Sequence, residues 1–245
     1  MASSRYAVVL AAGKGTRFHS SLPKVLHPIV GAPMLEHVLN QLKRLNITQT
    51  FVVVGHQANV IQRCFLNWSV EWVSQIPQLG TAHAVSMTEP LIAGKPGSVI
   101  VLHGDCPLIT SERLNDLISV REDSKASLSM ITSYLEDPSG YGRVIRENDK
   151  PLRIVEEKNA TREQKEIHEV NPAYYCFDLQ CLFPALKRVS NDNEQKEYLL
   201  TDVVGILGQD GMSIKTVLAP SEEIMGVNDR QQLALAKEIL EARIK

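Results

Sequence analysis

No stretch of this chain approaches the ~20 consecutive apolar residues that a membrane-spanning helix needs. The early apolar run from Tyr6 to Ala12 is too short for a signal sequence, follows a single arginine and leads straight into a charged glycine loop. It reads as a buried strand. Cysteine is sparse as well: Cys64, Cys106, Cys176 and Cys181 form no CxxC pair, which argues against a zinc site. With no secretory context they read as free thiols of a cytoplasmic protein. Charge of one sign is also missing. A formal net charge of −2 makes nucleic acid and anionic membrane surfaces unexpected partners, so any phosphate chemistry has to use local positive charge. Internal repeats and low-complexity linkers are absent too. What is there is ordinary for a globular protein: 245 residues, 44% hydrophobic and 22% charged, enough to bury a substantial core.

The first half alternates short apolar runs with helical patterns. Segments 6–12, 51–55, 70–75 and 99–105 read as strands buried on both faces. Between the first two, Met34, Leu35, Val38, Leu39, Leu42 and Leu45 recur at helical spacing, with Pro33 at the helix start. Segments 80–92 and 111–123 read as further helices, the second capped by Thr110 or Ser111. Such alternation predicts an α/β fold with a Rossmann-like, doubly wound, mostly parallel sheet. Ligands then bind beyond the carboxyl ends of the strands.

The second half changes character. Turn signals at Asp137-Pro138-Ser139-Gly140 and Asn148-Asp149-Lys150 predict antiparallel elaboration beside the main sheet. Residues 170–179 read as one strand and 198–211 as a helix. The segment 228–245 reads as a helical tail on a domain of residues 1–227, with Leu233, Leu235, Ile239, Leu240 and Ile244 as its apolar side.

The density of glycine and positive charge after the first strand calls for explanation. "LAAGKGTRF" and then "LPKVL" place Gly13, Lys14, Gly15, Thr16, Arg17 and Lys24 at one strand tip. Glycines let backbone approach a ligand closely, and successive N–H groups can converge on phosphate oxygens. No P-loop spacing is present, and the third glycine of a dinucleotide fingerprint is replaced by Phe18. Two glycines alone equally describe a strand-to-loop turn with solvated cations. Pro23 stiffens the backbone just before Lys24, which suits a positioned cation better than a mobile one. Asp105, closing "VIVLHGD", is a natural hard ligand for Mg²⁺ and just as natural a turn former before Cys106-Pro107.

Several blocks occur in one order along the chain: "LAAGKGTRF", "PKVL", "QLGTAHA", "LHGDCPLI", "GYGRVIRE", "IVEEK", "EVNPAYY" and "GVN". Together they resemble the sugar-nucleotide pyrophosphorylases, a nucleotidyltransferase family, over essentially the whole chain. The pattern is closest to the family's N-acetylglucosamine-1-phosphate uridylyltransferase branch. The resemblance implies in-line attack of a sugar 1-phosphate on the α-phosphorus of UTP, with pyrophosphate leaving and Mg²⁺ assisting. It implies that Leu10, Ala11, Ala12 and Gly13 cradle base and ribose, while Gly15, Thr16 and Arg17 wrap the triphosphate. Arg17 would bear on the departing phosphates and Lys24 on the α-phosphate. Gln75, Gly80 and Thr81 match uracil-reading positions, although a solvent-facing Gln and a helix-capping Gly-Thr are the structural alternative. Asp105 and Asn228 match the metal ligands, and Asn228 can also cap the terminal helix. His103, Gly104, Asp105, Gly140, Glu156, Asn171 and Asn228 match positions around the sugar and its phosphate. Glu157, next to Glu156, is expected to be solvated.

Departures from the family pattern cluster at the sugar end. His103 stands where tyrosine is usual, Pro172-Ala173 follow Asn171 where Thr-Gly is usual, and "EYLLTD" lacks a second tyrosine. The bifunctional relatives continue into an acetyl-transferring β-helix that these 245 residues do not contain, so neither acetyl transfer nor its trimer is expected. That leaves a single-activity enzyme or one half of a longer chain. Oligomeric state is left open. Competing readings are a nucleotidyltransferase for another sugar phosphate or another base such as cytosine, and a non-catalytic UDP-sugar sensor. A sensor has no need for Arg17, Lys24, Asp105 and Asn228 together.

Overall fold

The computed structural model describes residues 4–244. Its first strand, β1 (Arg5–Ala11), shows why the opening apolar run carries no polar alternation. Tyr6, Val8 and Leu10 enter one core, and Ala7, Val9 and Ala11 enter another on the opposite face. Side chains alternate across a strand, so a strand covered on both sides must be apolar throughout.

A two-residue hairpin, β2 (Pro28–Ile29) and β3 (Ala32–Pro33), leads into α1 (Met34–Lys43). Three more strands then join β1 in parallel: β4 (Gln49–Val54), β5 (Glu71–Ser74) and β6 (Ser98–His103). The connections carry α2 (Ala58–Cys64), α3 (Thr81–Ser86) and α4 (Glu89–Ile92), and α5 (Ser111–Ser124) follows β6. Thr110 caps α5, its side-chain oxygen accepting from the Arg113 N–H at 3.2 Å. The helix expected over 80–92 is divided into α3 and α4. Thr88 donates its hydroxyl proton to the Val85 carbonyl at 2.7 Å at the break, and Pro90 opens the second piece.

The remaining strands are β7 (Leu128–Tyr134), β8 (Gly142–Glu147), β9 (Lys150–Val155), β10 (Glu169–Asn171), β11 (Tyr175–Asp178) and β12 (Ile214–Leu218). All belong to one 10-stranded sheet in the order β5-β4-β1-β6-β11-β7-β10-β8-β9, with β12 parallel to β7. Within the main body β11 alone runs against the others, so the sheet is mostly parallel, and β8, β9 and β10 add the antiparallel elaboration. The β8–β9 turn uses Asn148 and Asp149, both at positive φ, as a tight hairpin requires.

Residues 170–179 form two strands, not one. Pro172 offers no N–H to a ladder, and Ala173, at φ +64, donates its N–H to Asn171 Oδ1 at 3.2 Å. The chain kinks there and re-enters the sheet as β11 on the other flank of β7. Four further helices, α6 (Arg162–Lys165), α7 (Leu179–Leu186), α8 (Asp202–Gln209) and α9 (Ser221–Ile224), complete the body. The helix expected from residue 198 begins only at Asp202, because Tyr198–Leu200 are bound to another loop described below. The last helix, α10 (Arg230–Ile244), lays Leu233, Ile239 and Leu240 against Phe18, Ile29, Met34, Leu108 and Val227. Leu235 is 48% exposed on the outer side, and the small Ala236 is buried in its place. At 3.6 residues per turn, Ala236 falls in line with Leu233 and Leu240, and Leu235 does not.

Candidate active site

The parallel strands β1, β4, β5 and β6 end on one rim of the sheet, and a cleft of about 930 Å³ opens there. Leu10, Ala11, Ala12, Gly13, Gly15, Thr16, Lys24, Gln75, Gly80, Thr81, His103, Asp105 and Asn228 line it. Gly15 sits at φ +61, and a Cβ built on it would come within 2.6 Å of Lys24 Cβ. A glycine is thus required for the loop to lie directly on the lysine. Phe18 fixes the far side of the loop. Its ring is buried in the core beneath α10 and lies 4.4 Å, centroid to centroid, from His27.

Four polar side chains meet at one end of the cleft. The Lys24 ammonium is ion-paired with Asp105 and donates to Asn228 Oδ1 at 3.0 Å, and Arg17 Nη2 donates to the same oxygen at 2.9 Å. Arg17 itself is exposed on the lip. Burial is the largest influence and alone would raise the Asp105 pKa. The Lys24 and His103 charges and the hydrogen bonds from Lys24 and Cys106 together outweigh it and hold the carboxyl below its ordinary value. Burial, reinforced by the Asp105 charge, pushes the Cys106 thiol well above its usual range, so Cys106 is a donor to Asp105 Oδ1 at 3.5 Å and no thiolate nucleophile. His103, one strand position from Gly104, is lowered by its burial. Gly104 donates its N–H to the Leu10 carbonyl at 2.9 Å, extending the β1–β6 ladder behind the site.

Among the described residues no group of three His, Cys, Asp or Glu side chains is placed to hold a metal. Asp105 and Asn228 nevertheless direct two oxygens onto one cation, the Lys24 ammonium. That arrangement fits a Mg²⁺ ion that takes its remaining oxygens from water and phosphate.

At the other end of the cleft, Gln75 is 3% exposed, and its Nε2 donates to the Gly80 carbonyl at 2.9 Å. Gly80, at φ +113, leaves no room for a side chain: a Cβ would meet the Tyr198 carbonyl oxygen at 2.5 Å. Tyr198 donates its N–H to Leu79 O at 2.8 Å and accepts from Ala82 N at 2.9 Å. Leu200 N donates to Thr81 Oγ1 at 2.9 Å. The loop before α3 and the segment 198–200 are therefore bolted together.

Of the residues expected at the sugar end, His103, Asp105 and Asn228 line this cleft, whereas Gly140, Glu156 and Asn171 stand apart from its lining. Glu156 lines a neighbouring cavity of about 610 Å³ with Asp202, and Thr201 donates its hydroxyl proton to Glu156 Oε1 at 2.9 Å. Burial, and then the Glu156 charge, raise the Asp202 pKa. Asn171 is buried, its Nδ2 donating to the Tyr175 hydroxyl at 2.6 Å. Gly140, at φ +84, is an exposed turn residue. Glu157 is not a free solvated partner, since it is ion-paired with the buried Arg143 at 2.7 Å.

Lys14, His56, Gln78 and Glu197 also line the main cleft and were not picked out from the sequence as site residues. His56 follows the end of β4, so the rule that ligands bind beyond strand carboxyl ends pointed to it. Gln78 donates to the Ala12 carbonyl at 2.7 Å, tying the loop after β5 to the tip of β1. Nothing in the sequence signals Glu197, which the 198–200 clamp brings in.

Residues 7–202 match the MobA-like NTP transferase domain. The chain belongs to that family. This transferase is 42% identical over 243 residues to the bifunctional protein GlmU of Enterococcus faecalis, covering 98% of the chain and 53% of that protein. It is 46% identical over 244 residues to the GlmU of Shouchella clausii, covering 99% and 54%. The transferase thus spans about half the length of the curated relatives it matches. In fold it is similar to a UDP-glucose pyrophosphorylase solved with UDP-glucose, with a TM-score of 0.80 at 16% identity over 98% and 99% of the two chains. A putative glucose-1-phosphate thymidylyltransferase from Bacillus anthracis gives 0.73 at 18% over 96% and 95%. The transferase carries an NTP transferase domain on a Rossmann-like α/β core.

Proposed function

We propose that the transferase is a Mg²⁺-dependent uridylyltransferase that condenses UTP with N-acetylglucosamine 1-phosphate to UDP-N-acetylglucosamine and pyrophosphate. The observation that carries this reading is the meeting of Arg17, Lys24, Asp105 and Asn228 at one end of a cleft whose other end holds Gln75 and Gly80. That spacing suits a nucleotide lying lengthwise, base at Gln75 and phosphates at Lys24. In the reaction a sugar-phosphate oxygen bonds to the α-phosphorus as the bond to the bridging β-phosphate oxygen breaks, and pyrophosphate departs with that electron pair. Lys24 balances the charge that grows on the α-phosphate, Arg17 bears on the leaving phosphates, and the backbone from Gly13 to Thr16 supplies N–H donors. Asp105 and Asn228 would hold Mg²⁺, which supplies Lewis-acid polarisation of phosphate oxygens. Glu156, Asn171, Gly140 and the His103-Gly104 turn are assigned to the sugar phosphate.

Bifunctional GlmU proteins and a UDP-glucose pyrophosphorylase among the similar proteins support the uridine nucleotide and the sugar class. Among the described residues no helix is long and apolar enough to cross a membrane, and Cys64, Cys106, Cys176 and Cys181 are free, in keeping with a reducing cytoplasm. A panel of sugar 1-phosphates with UTP and Mg²⁺, read by pyrophosphate release, tests the proposal. Turnover fastest with N-acetylglucosamine 1-phosphate is expected. Turnover only with another sugar keeps the reaction and rejects the substrate, an outcome toward which the Pro172-Ala173 kink beside Asn171 would then have pointed. Release with none rejects the enzyme.

A further inference from the structure

Gln75 has a neighbour that the uridylyltransferase reading does not use. Its side-chain nitrogen lies 2.9 Å from the Gly80 carbonyl and 3.1 Å from His83 Nδ1. A carbonyl can only accept, so the amide must present its NH₂ end on that side, and His83 Nδ1 must then carry a lone pair. Both hydrogens of the amide are thereby used. The only polar atom left is Oε1, which has no partner among the described residues and belongs to a side chain that lines the cleft. An oxygen so placed can accept from a base edge that presents an N–H, as N3 of uracil does. It repels the N3 lone pair of cytosine.

We infer that His83, through a neutral ring protonated on Nε2, is a positioning residue that locks the Gln75 amide in one orientation and so sets the preference for a base with an N3–H. His83 is half-buried in α3 and is not part of the cleft lining, so it acts on the nucleotide only through Gln75. Burial lowers its pKa, which favours the neutral ring. To read cytosine the amide would have to turn over, breaking both bonds and setting Oε1 against the Gly80 oxygen. With His83 absent, only one bond resists the turn. The inference rests on the nucleotide end of the proposed function and is independent of the sugar.

Calorimetric titration of UTP and CTP in the presence of Mg²⁺ tests it on the wild type, His83→Leu and His83→Asn. His83→Leu is expected to narrow the UTP-over-CTP affinity ratio by about tenfold, the scale of one hydrogen bond. In His83→Asn the side-chain oxygen can take the place of Nδ1, and the ratio should stay within about threefold of wild type. An unchanged ratio in His83→Leu overturns the inference while leaving the uridylyltransferase reading intact. A wild type that binds CTP as tightly as UTP overturns that reading instead. Side-chain ¹⁵N NMR of the wild type judges His83 without any variant: a bare Nδ1 with Nε2–H is expected, and a protonated Nδ1 contradicts the lock.

Discussion

Lys24, Asp105 and Gln75 stand at the rim formed by parallel strand ends, whereas Glu156 and Asn171 stand at the ends of antiparallel strands. At the parallel rim, charge is gathered toward open space: Lys24 and Arg17 share one amide oxygen, and the cleft lies in front of them. In the antiparallel half, polar atoms largely satisfy one another. Thr201 donates to Glu156, and both polar ends of the Asn171 amide are engaged, with Tyr175 and with Ala173. The contrast teaches that the proposed phosphate end gathers its charged groups in front of open space, while the polar groups of the proposed sugar end are engaged inside the fold. The two ends should therefore fail separately.

The largest effect is expected at the phosphate end. Lys24→Ala should lower turnover by about two orders of magnitude or more, the scale of removing one preorganised charge in such chemistry. A rate within about threefold of wild type would remove Lys24 from the reacting phosphate. Asp105→Asn keeps the shape but not the charge, and the Mg²⁺ concentration for half-maximal activity should rise at least about tenfold. An unchanged metal titration would take Asp105 out of the metal site. Gly80→Ala forces a Cβ against the Tyr198 backbone at positive φ, so the KM for UTP should rise roughly tenfold with a lower melting temperature. The smallest effect belongs to the sugar end. Glu156→Gln should raise the KM for the sugar phosphate about fivefold and leave the KM for UTP unchanged, as expected for weakening one charge-assisted hydrogen bond. Equal changes in both constants would show that the two ends are one.

The same contrast governs what could be read from residues alone. Continuous runs such as Val8-Val9-Leu10 and Val99 to Leu102 announced strands buried on both faces, and strand-end geometry then pointed to the loop after β1 and to Asp105. Those features are local, and local pattern suffices for them. The kink at Pro172-Ala173, by contrast, splits what periodicity read as one strand, and it depends on a side chain closing on its own backbone. Tyr198–Leu200 carry a helical pattern but are held out of the helix by hydrogen bonds to Leu79, Thr81 and Ala82, more than a hundred residues away. Leu235 and Ala236 exchange their expected places because the helical phase puts Ala236, and not Leu235, in line with Leu233 and Leu240, which a reading of the large apolar residues alone passes over. The nucleotide end sits at strand tips that pattern can locate, although the bonds that bring Arg17 and Lys24 onto Asn228 span most of the chain. His83 shows that even the legible end held a residue whose importance lies in what it touches.

The most direct test of the account is a crystal structure of the transferase grown with UTP and Mg²⁺. The account predicts a uracil ring at Gln75 and Gly80, phosphates beside Arg17 and Lys24, and a cation between Asp105 and Asn228. Nucleotide density bound elsewhere on the molecule, with the cleft at the tips of β1 and β6 left to water, would contradict it.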